Sequence, residues 1–391
     1  MIAETPAIPT GGSRFANRLA VFYAALFGLS GAYTPFFPVW LQAVDTAPAM
    51  IGIIMAMPTA ARLLAVPIVT AWTARHDALR GAIVATACLT FAGVLLLGTM
   101  RGALAIALVL WLVSWPWTAA FPLTDAYALR GVNYYRKNYG PIRLWGSVGY
   151  IVAALAAGYF GSAFGALDLI WVIAAVAGLG ALTSFGLVGI GVSSAGTLAV
   201  SKPTALLRTP AFVAVMVAAA LIQGSHAAYY YFSAISWQAA GMSSATIGVL
   251  WALCVAVEIG LFAASPRLGL SPAALIGLGG AGAVVRWLIM PQEPGIAVLS
   301  FAQALHALSF GATHLGVMGL LARLVPGRIM PNAQGYIATA TGIVMASTGI
   351  ACGWVFTSVG QSIYFGMAAM AAVGTIVVFA SRHAIGKAMA A

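Results

Sequence analysis

Residues 19–57 read LAVFYAALFGLSGAYTPFFPVWLQAVDTAPAMIGIIMAM. Apolar residues run from 19 to 43, break at the polar step Asp45-Thr46-Ala47-Pro48, and resume. About 20 apolar residues suffice to cross a bilayer, so the stretch reads as two membrane helices joined by a tight loop. The chain is polar up to Arg18. The apolar region of a cleaved signal is only about 7–15 residues long, so the first run is expected to be the first span. Residues 215–253, VMVAAALIQGSHAAYYYFSAISWQAAGMSSATIGVLWAL, repeat the plan at an offset of 196. Gly28 falls on Gly224, Tyr33 on Tyr229, Gln42 on Gln238, Ile51 on Ile247 and Gly52 on Gly248, without a gap across the loop. The same offset sets Arg62 on Glu258, opposite charges at matching places. Parallel repeats of membrane helices place a substrate site between the halves near the midplane.

Composition agrees with lipid as the main solvent. Of 391 residues 62% are apolar and 6% charged, whereas a soluble domain carries roughly 25% charged residues. Mean hydropathy is +1.00. The net charge of +11 does not indicate nucleic-acid binding, because the basic residues lie between apolar segments rather than in one block. Cys88, Cys254 and Cys352 sit singly inside apolar runs. They form neither a disulfide framework nor a zinc site and read as small packing residues.

Twelve spans follow, at about 19–43, 48–71, 80–99, 103–129, 141–164, 166–191, 210–240, 245–264, 271–291, 295–321, 331–358 and 361–381. Loops on one side carry Arg14, Arg18, Arg75, Arg80, Arg130, Arg136, Lys137, Lys202, Arg208, Arg267, Arg323, Arg328, Arg382 and Lys387. The other side carries Arg101 alone among basic residues, with Asp45, Asp168 and Glu293. By the positive-inside rule both termini are cytoplasmic, as an even number of spans requires. The expected architecture is an all-α membrane protein of twelve transmembrane helices in two pseudo-symmetric six-helix bundles. These are a first bundle at 1–191, a cytoplasmic linker at 192–209 and a second bundle at 210–391.

Five charged residues fall inside spans: Arg62, Asp125, Arg143, Glu258 and Arg286. At about 2.5–3.5 kcal/mol each near a helix centre, together roughly 12–18 kcal/mol, they imply a compensating role. Asp125 with Arg143 suits an ion pair near the cytoplasmic ends of the fourth and fifth helices. Arg62 belongs to the same charge network. Glu258 suits a carboxyl that takes up and releases a proton. Arg286, beside Trp287, is expected nearer the outer end, either snorkelling to the interface or joining the network. His226, His306 and His314 are either hydrogen-bond partners between helices or parts of a substrate site or proton relay. No His-x3-His spacing suggests a metal, and no cofactor is expected. Tyr33, Trp111, Trp115, Tyr229 and Tyr230 are aromatic at depths where an interfacial belt does not explain them. Trp111 and Trp115 share a helix face. Such rings suit an aromatic or apolar substrate, and the basic groups suit a carboxylate. YTPFFP (33–38) and SWPWTAAFPLTD (114–125) interrupt helical hydrogen bonding, which is tolerated at a cavity or a moving joint.

Several stretches carry a resemblance: PLTDA around Asp125, YGPIRLWGSVGY around Arg143, QGSHAAYYYFSAISWQAAG around His226, VVRWLIM around Arg286, and LHALSFGATH with His306 and His314. Arg62 in AARLLA and Glu258 in AVEIGLF fit the same pattern. Over nearly its whole length the chain resembles the phenylpropionate:proton symporter group of the major facilitator superfamily, and more distantly the lactose permease and nucleoside:proton symporter branch. One departure is the loop after the second helix. The superfamily pattern there is GxLaDrxGrr, whereas this chain has VTAWTARHDALR, with Arg75, Asp77 and Arg80 as its only echoes.

The resemblance implies a monomeric carrier in the bacterial cytoplasmic membrane that takes up a small organic solute with protons by alternating access. His226, Tyr229 and Tyr33 would contact substrate, Glu258 would carry the proton with Asp125 as second candidate, and Arg143 and Arg62 would balance those carboxylates. Alternative readings are an exporter of apolar drugs or metabolites and a sugar or nucleoside symporter. An intramembrane enzyme is remote, since HExxH, a P-loop and GxSxG are all absent from the sequence.

Overall fold

A computed structural model describes residues 10–190, 203–326 and 329–390. Residues 192–202 of the expected linker, with Lys202, and Arg328 lie outside the described residues. The first half contains α1 (Gly12–Ala43), α2 (Pro48–Arg75), α3 (Leu79–Thr99), α4 (Ala103–Tyr135), α5 (Tyr139–Phe164) and α6 (Leu169–Phe185). The second contains α7 (Pro210–Ala239), α8 (Ser244–Ala264), α9 (Pro272–Ile289), α10 (Ile296–Leu324), α11 (Met330–Val359) and α12 (Ile363–Ala380). A short α13 (Arg382–Ala390) follows. The apolar stretch Met330–Ala380 has 51 residues. As one helix it would be about 77 Å long, far beyond the ~30 Å hydrocarbon core. It turns at Gly360, φ 52°, and so makes two crossings, for twelve in all among the described residues.

Helix ends differ from the hydropathy reading where side chains take over from lipid. α1 starts at Gly12 rather than 19 because Phe15 is buried against the rings of Tyr127 and Tyr135. α6 ends at Phe185 rather than near 191. The carbonyls that follow it are taken by side chains instead of further helix: Arg18 donates to Gly186 O at 2.8 Å, Arg80 to Leu187 O at 2.7 Å and Tyr127 to Val188 O at 2.6 Å. α8 and α9 begin at serine caps, with Ser243 and Ser271 Oγ accepting from the amides of Thr246 and Ala274.

Lipid-facing stripes follow helical spacing. On α4, Leu104, Leu108 and Leu112 are 70%, 58% and 68% exposed, one above another. The three cysteines are free, Cys254 and Cys352 buried and Cys88 half-buried. Within the first half α1 packs on α5 and α6, α2 on α4, and α3 on α4 and α6. Within the second α9 packs on α10 and α12, and α7 on α11 and α12. Between halves the largest contacts are α2 with α11 and α5 with α8.

These two crossings are built alike. A Cβ at Gly52 of α2 would lie 2.8 Å from Gly349 O and 3.2 Å from Gly353 Cα on α11. A Cβ at Gly248 of α8 would lie 2.6 Å from Ala154 O and 3.3 Å from Gly158 Cα on α5. Backbone meets backbone, as small residues permit in membranes, and Gly52 and Gly248 are the pair related by the offset of 196. Both crossings lie toward the end of the bundle marked by Asp45, Asp168 and Glu293, here the acidic end; the opposite, arginine-rich end is the basic end.

The crossings therefore seal the acidic end, and adding bulk there is expected to open it. Overpacking costs about 1–3 kcal/mol in the sealed arrangement, a shift of roughly 5–150-fold. In a cysteine-free background carrying Thr34→Cys, Gly248→Val should raise the rate of labelling by a membrane-impermeant maleimide added at the acidic end by about tenfold or more. An unchanged rate would show that the glycine contact does not control access.

Candidate functional site

Toward the basic end the halves part around a cavity of about 870 Å³. Its walls include Ser30 and Thr34 of α1, Thr59 and Arg62 of α2, Trp117, Phe121 and Asp125 of α4, and Asn332, Tyr336 and Thr339 of α11. Pro58, Pro67 and Pro122 also line it, so helical irregularity falls where freed backbone faces a cavity rather than lipid. Drug-sized sites are typically about 300–1,000 Å³. Among the described residues Arg62 is in no ion pair; Arg130 pairs with Asp77 at 3.2 Å, and Nε2 of His306 lies 3.6 Å from Glu258 Oε2. Arg62 thus presents an unpaired guanidinium to the cavity.

Asp125 and Arg143 do not form the ion pair expected of them. Oδ1 of Asp125 accepts from the Tyr23 hydroxyl at 2.6 Å and from Tyr139 at 3.0 Å. The Arg143 guanidinium instead lies over the ring of Phe27, 3.7 Å from its centroid, and 5.5 Å from that of Tyr23. Phenol donors satisfy the carboxylate, and aromatic faces hold the cation. The aromatic residues that α4 turns to the cavity are Trp117 and Phe121, and Trp117 packs edge-on against Tyr33 at 4.6 Å. Trp111 and Trp115 form a T-shaped pair at 6.2 Å and are half-buried beside the lipid-facing leucines. Tyr33 is buried in the wall, stacked on Phe37 and with its hydroxyl 3.8 Å from Met55 Sδ.

A second polar assembly is buried within α7–α10. Arg286 is 0% exposed, so it does not snorkel to an interface; α9 directs it into the protein. Close approach of α10 to α9 is possible because Gly279 has no side chain: a Cβ there would lie 2.1 Å from Thr313 Oγ1. Arg286 donates from Nη1 to Nδ1 of His306 at 2.9 Å and from Nη2 to Oε1 of Gln303 at 3.1 Å. Its plane lies over Tyr229 at 4.1 Å and Trp287 at 4.6 Å. Tyr229 donates to the same Gln303 oxygen at 2.8 Å.

Partners fix the imidazole tautomers. A guanidinium only donates, so Nδ1 of His306 accepts and its proton sits on Nε2. That nitrogen is 3.6 Å from Glu258 Oε2. Arg286, His306 and Glu258 therefore form a line from α9 through α10 to α8. His226 follows an α7 break after Gly224, where Nδ1 meets the carbonyls of Ile222 and Gln223 at 3.2 and 3.1 Å. Its Nε2 then accepts from Ser309 Oγ at 3.0 Å. Ser309 belongs to a π-turn, Ala307–Ala312, that interrupts α10, and Trp287 Nε1 donates to Ser225 Oγ at 2.9 Å. Irregular turns of two helices are thus tied side by side.

The structure therefore brings His226, Tyr229, His306, Arg286 and Glu258 together. Tyr230 stacks on His226 at 5.8 Å. His314 stands apart, exposed and stacked below Phe310 at 6.3 Å. Arg62 and Asp125 belong to the cavity, not to this assembly. The sequence alone did not single out Gln303, Ser309, Tyr23 or Tyr139. Gln303, His306 and Ser309 recur at every third position of one span, a polar stripe that marks a helix face turned from lipid.

Comparison with known proteins places this geometry. A family model described as "MFS_1 like family" matches residues 16–367. The probable 3-phenylpropionic acid transporter of Escherichia coli (strain K12) is 28% identical over 362 residues, 90% of this chain and 94% of that protein. Maltose permease of Geobacillus stearothermophilus is 26% identical over 332 residues, 83% of each chain. The crystal structure of the nucleoside transporter NupG is similar with a TM-score of 0.77 at 15% identity, covering 94% of this chain and 98% of that one; this likeness concerns the fold.

The two-pronged contact of Arg286 makes its substitution by lysine non-conservative, because an ammonium cannot reproduce a planar fork stacked on two rings. Arg286→Lys should lower the apparent melting temperature in nanodiscs by about 2–4 °C for each kcal/mol lost. A melting temperature equal to wild type would contradict the contacts described.

Proposed function

The chain belongs to the MFS_1 like family and is a multi-pass membrane transporter, and on that premise we propose that it takes up a small organic anion together with a proton. The observation that carries this reading is the line Arg286–His306–Glu258, in which a carboxyl lies beside an imidazole whose donor nitrogen is aimed at it. A guanidinium held permanently on Nδ1 keeps that donor pointed at Glu258 whether or not the carboxyl carries a proton. Glu258 is then the group loaded from one side and unloaded to the other.

The substrate binds in the cavity at the basic end. Its carboxylate pairs with Arg62, the unpaired cation there, and its apolar part packs on Trp117, Phe121 and Tyr336. Asp125, already bonded to Tyr23 and Tyr139, shapes the wall beside them. The name of the Escherichia coli relative favours an aromatic carboxylate, and that of the permease favours a sugar. Arg62 without a partner favours the acid, since a carboxylate would compensate its charge and a neutral sugar would not. His226 and Tyr229 act from behind the cavity wall, tying α7 to α10, which bears His306, with Tyr230 stacked on His226, while Tyr33 supports Trp117 in the wall itself.

Two bodies, 1–191 and 210–391, rock about the cavity, with the glycine crossings closed in this state and the cavity open to the cytoplasm. In this reading both termini are cytoplasmic, as the distribution of basic loop residues favours, and the protein works as a monomer in the bacterial cytoplasmic membrane, without a cofactor or catalysed reaction.

Proteoliposomes under an imposed pH gradient test the proton assignment. Glu258→Gln should abolish gradient-driven accumulation of an aromatic acid while leaving counterflow exchange, which needs no net proton movement. Accumulation at the wild-type level in that variant would remove Glu258 as the carrier.

A further inference from the structure

Inside the glycine crossing α2 and α11 diverge, and the central cavity does not end at their inner faces. Thr59 and Leu63 of α2 line both that cavity and a second, lateral one of about 490 Å³. Its other walls include Ala60 of α2 and Ile343, Ala346, Ser347 and Ile350 of α11. The groove is almost wholly apolar or small in its side chains. Ile343 is 52% exposed, and in a bilayer that exposure is to acyl chains. Ile343 and Ile350 lie about 20–30 Å along α11 from its basic end, near the middle of the membrane. Where groove and cavity meet stands Gly342: a Cβ there would lie 3.0 Å from Thr59 Cγ2 and 3.7 Å from Arg62 Nη2. A cation without a partner in the protein thus borders an apolar slot that opens toward lipid.

An anion that carried only a compact apolar group would be accommodated by the central cavity alone. The lateral slot adds space continuous with the cation on one side and with hydrocarbon on the other. That combination of charge and apolar surface fits a molecule with a carboxylate at one end and a single chain at the other. We propose that the groove between α2 and α11 receives the tail of a single-chain amphiphilic carboxylate whose head group pairs with Arg62, and that such a substrate exchanges directly with the bilayer. The proposal rests on the reading of the central cavity as a carboxylate site, and adds that tail length is a determinant of affinity.

The test is a binding series in lipid nanodiscs with the full chain, using ω-phenylalkanoates of increasing length referred to free aqueous concentration. Affinity should rise roughly threefold or more for each added methylene until the groove is filled. Ala346→Phe, which fills the groove outside the central cavity, should flatten the series and leave the shortest acid bound as in wild type. Arg62→Gln should weaken every member by about tenfold or more. A long acid with a diazirine at its tail should label peptides of α2 or α11 around the groove, a readout that does not depend on the folding of any variant. A flat series in the wild type with the short acid still bound, or labelling elsewhere in the chain, would overturn the lateral site and leave the central one standing. Absence of binding at every length would overturn both.

Discussion

Hydrocarbon offers no hydrogen bonds, and Arg286 is wholly buried within a protein whose solvent is hydrocarbon. Donors on that guanidinium can therefore be met only from inside. Two are: His306 and Gln303 accept, and the faces of Tyr229 and Trp287 hold the plane. Much of the second half follows from this requirement. α9 has glycine where α10 must come close, α10 carries its polar residues on one face, and α7 turns Tyr229 toward the same point. A cation held in this way also dictates chemistry, because it fixes which nitrogen of His306 can face Glu258.

The first half solves the same problem differently. Asp125 is met by two phenols rather than by Arg143, and Arg143 by aromatic faces rather than by a carboxylate. Separating the two in this way leaves neither charge dependent on the other as the helices shift. Arg62 is the exception, being charged, unpaired and on the cavity wall. The offset of 196 relates it to Glu258, so the two halves place a fixed positive charge and a protonatable group at matching positions. A coupled carrier of anions needs both, one for the cargo and one for the driving ion.

Much of this was legible in the sequence because the membrane imposes a simple rule on it. Twelve apolar runs, their polar breaks and the pairing of Gly52 with Gly248 follow from hydropathy and from the offset alone. The family and fold were reached from short stretches around Asp125, Arg143 and His226. Side-chain partnerships were not legible. Asp125 and Arg143 have opposite charges at suitable depths, yet nothing in their spacing shows that Tyr23, over a hundred positions earlier, intervenes. Arg286 sits near the end of an apolar run, where snorkelling is the ordinary outcome, and only the packing of α10 on α9 shows that it turns inward. The choice of Trp117 over Trp111 and Trp115 depends on the rotation of α4, fixed by its leucine stripe against lipid. The π-turn of α10 has no signature in hydropathy, since Ser309 is the one polar side chain in an otherwise apolar or small run.

The central claim, that movement of an organic anion is tied to movement of a proton through Glu258, is tested most directly without any imposed gradient. A pH-sensitive dye trapped inside proteoliposomes of the wild-type protein reports protons while labelled aromatic acid reports substrate. The lumen should acidify in step with substrate entry, and Glu258→Gln should abolish both. Substrate entering at full rate while the lumen pH stays constant would contradict it.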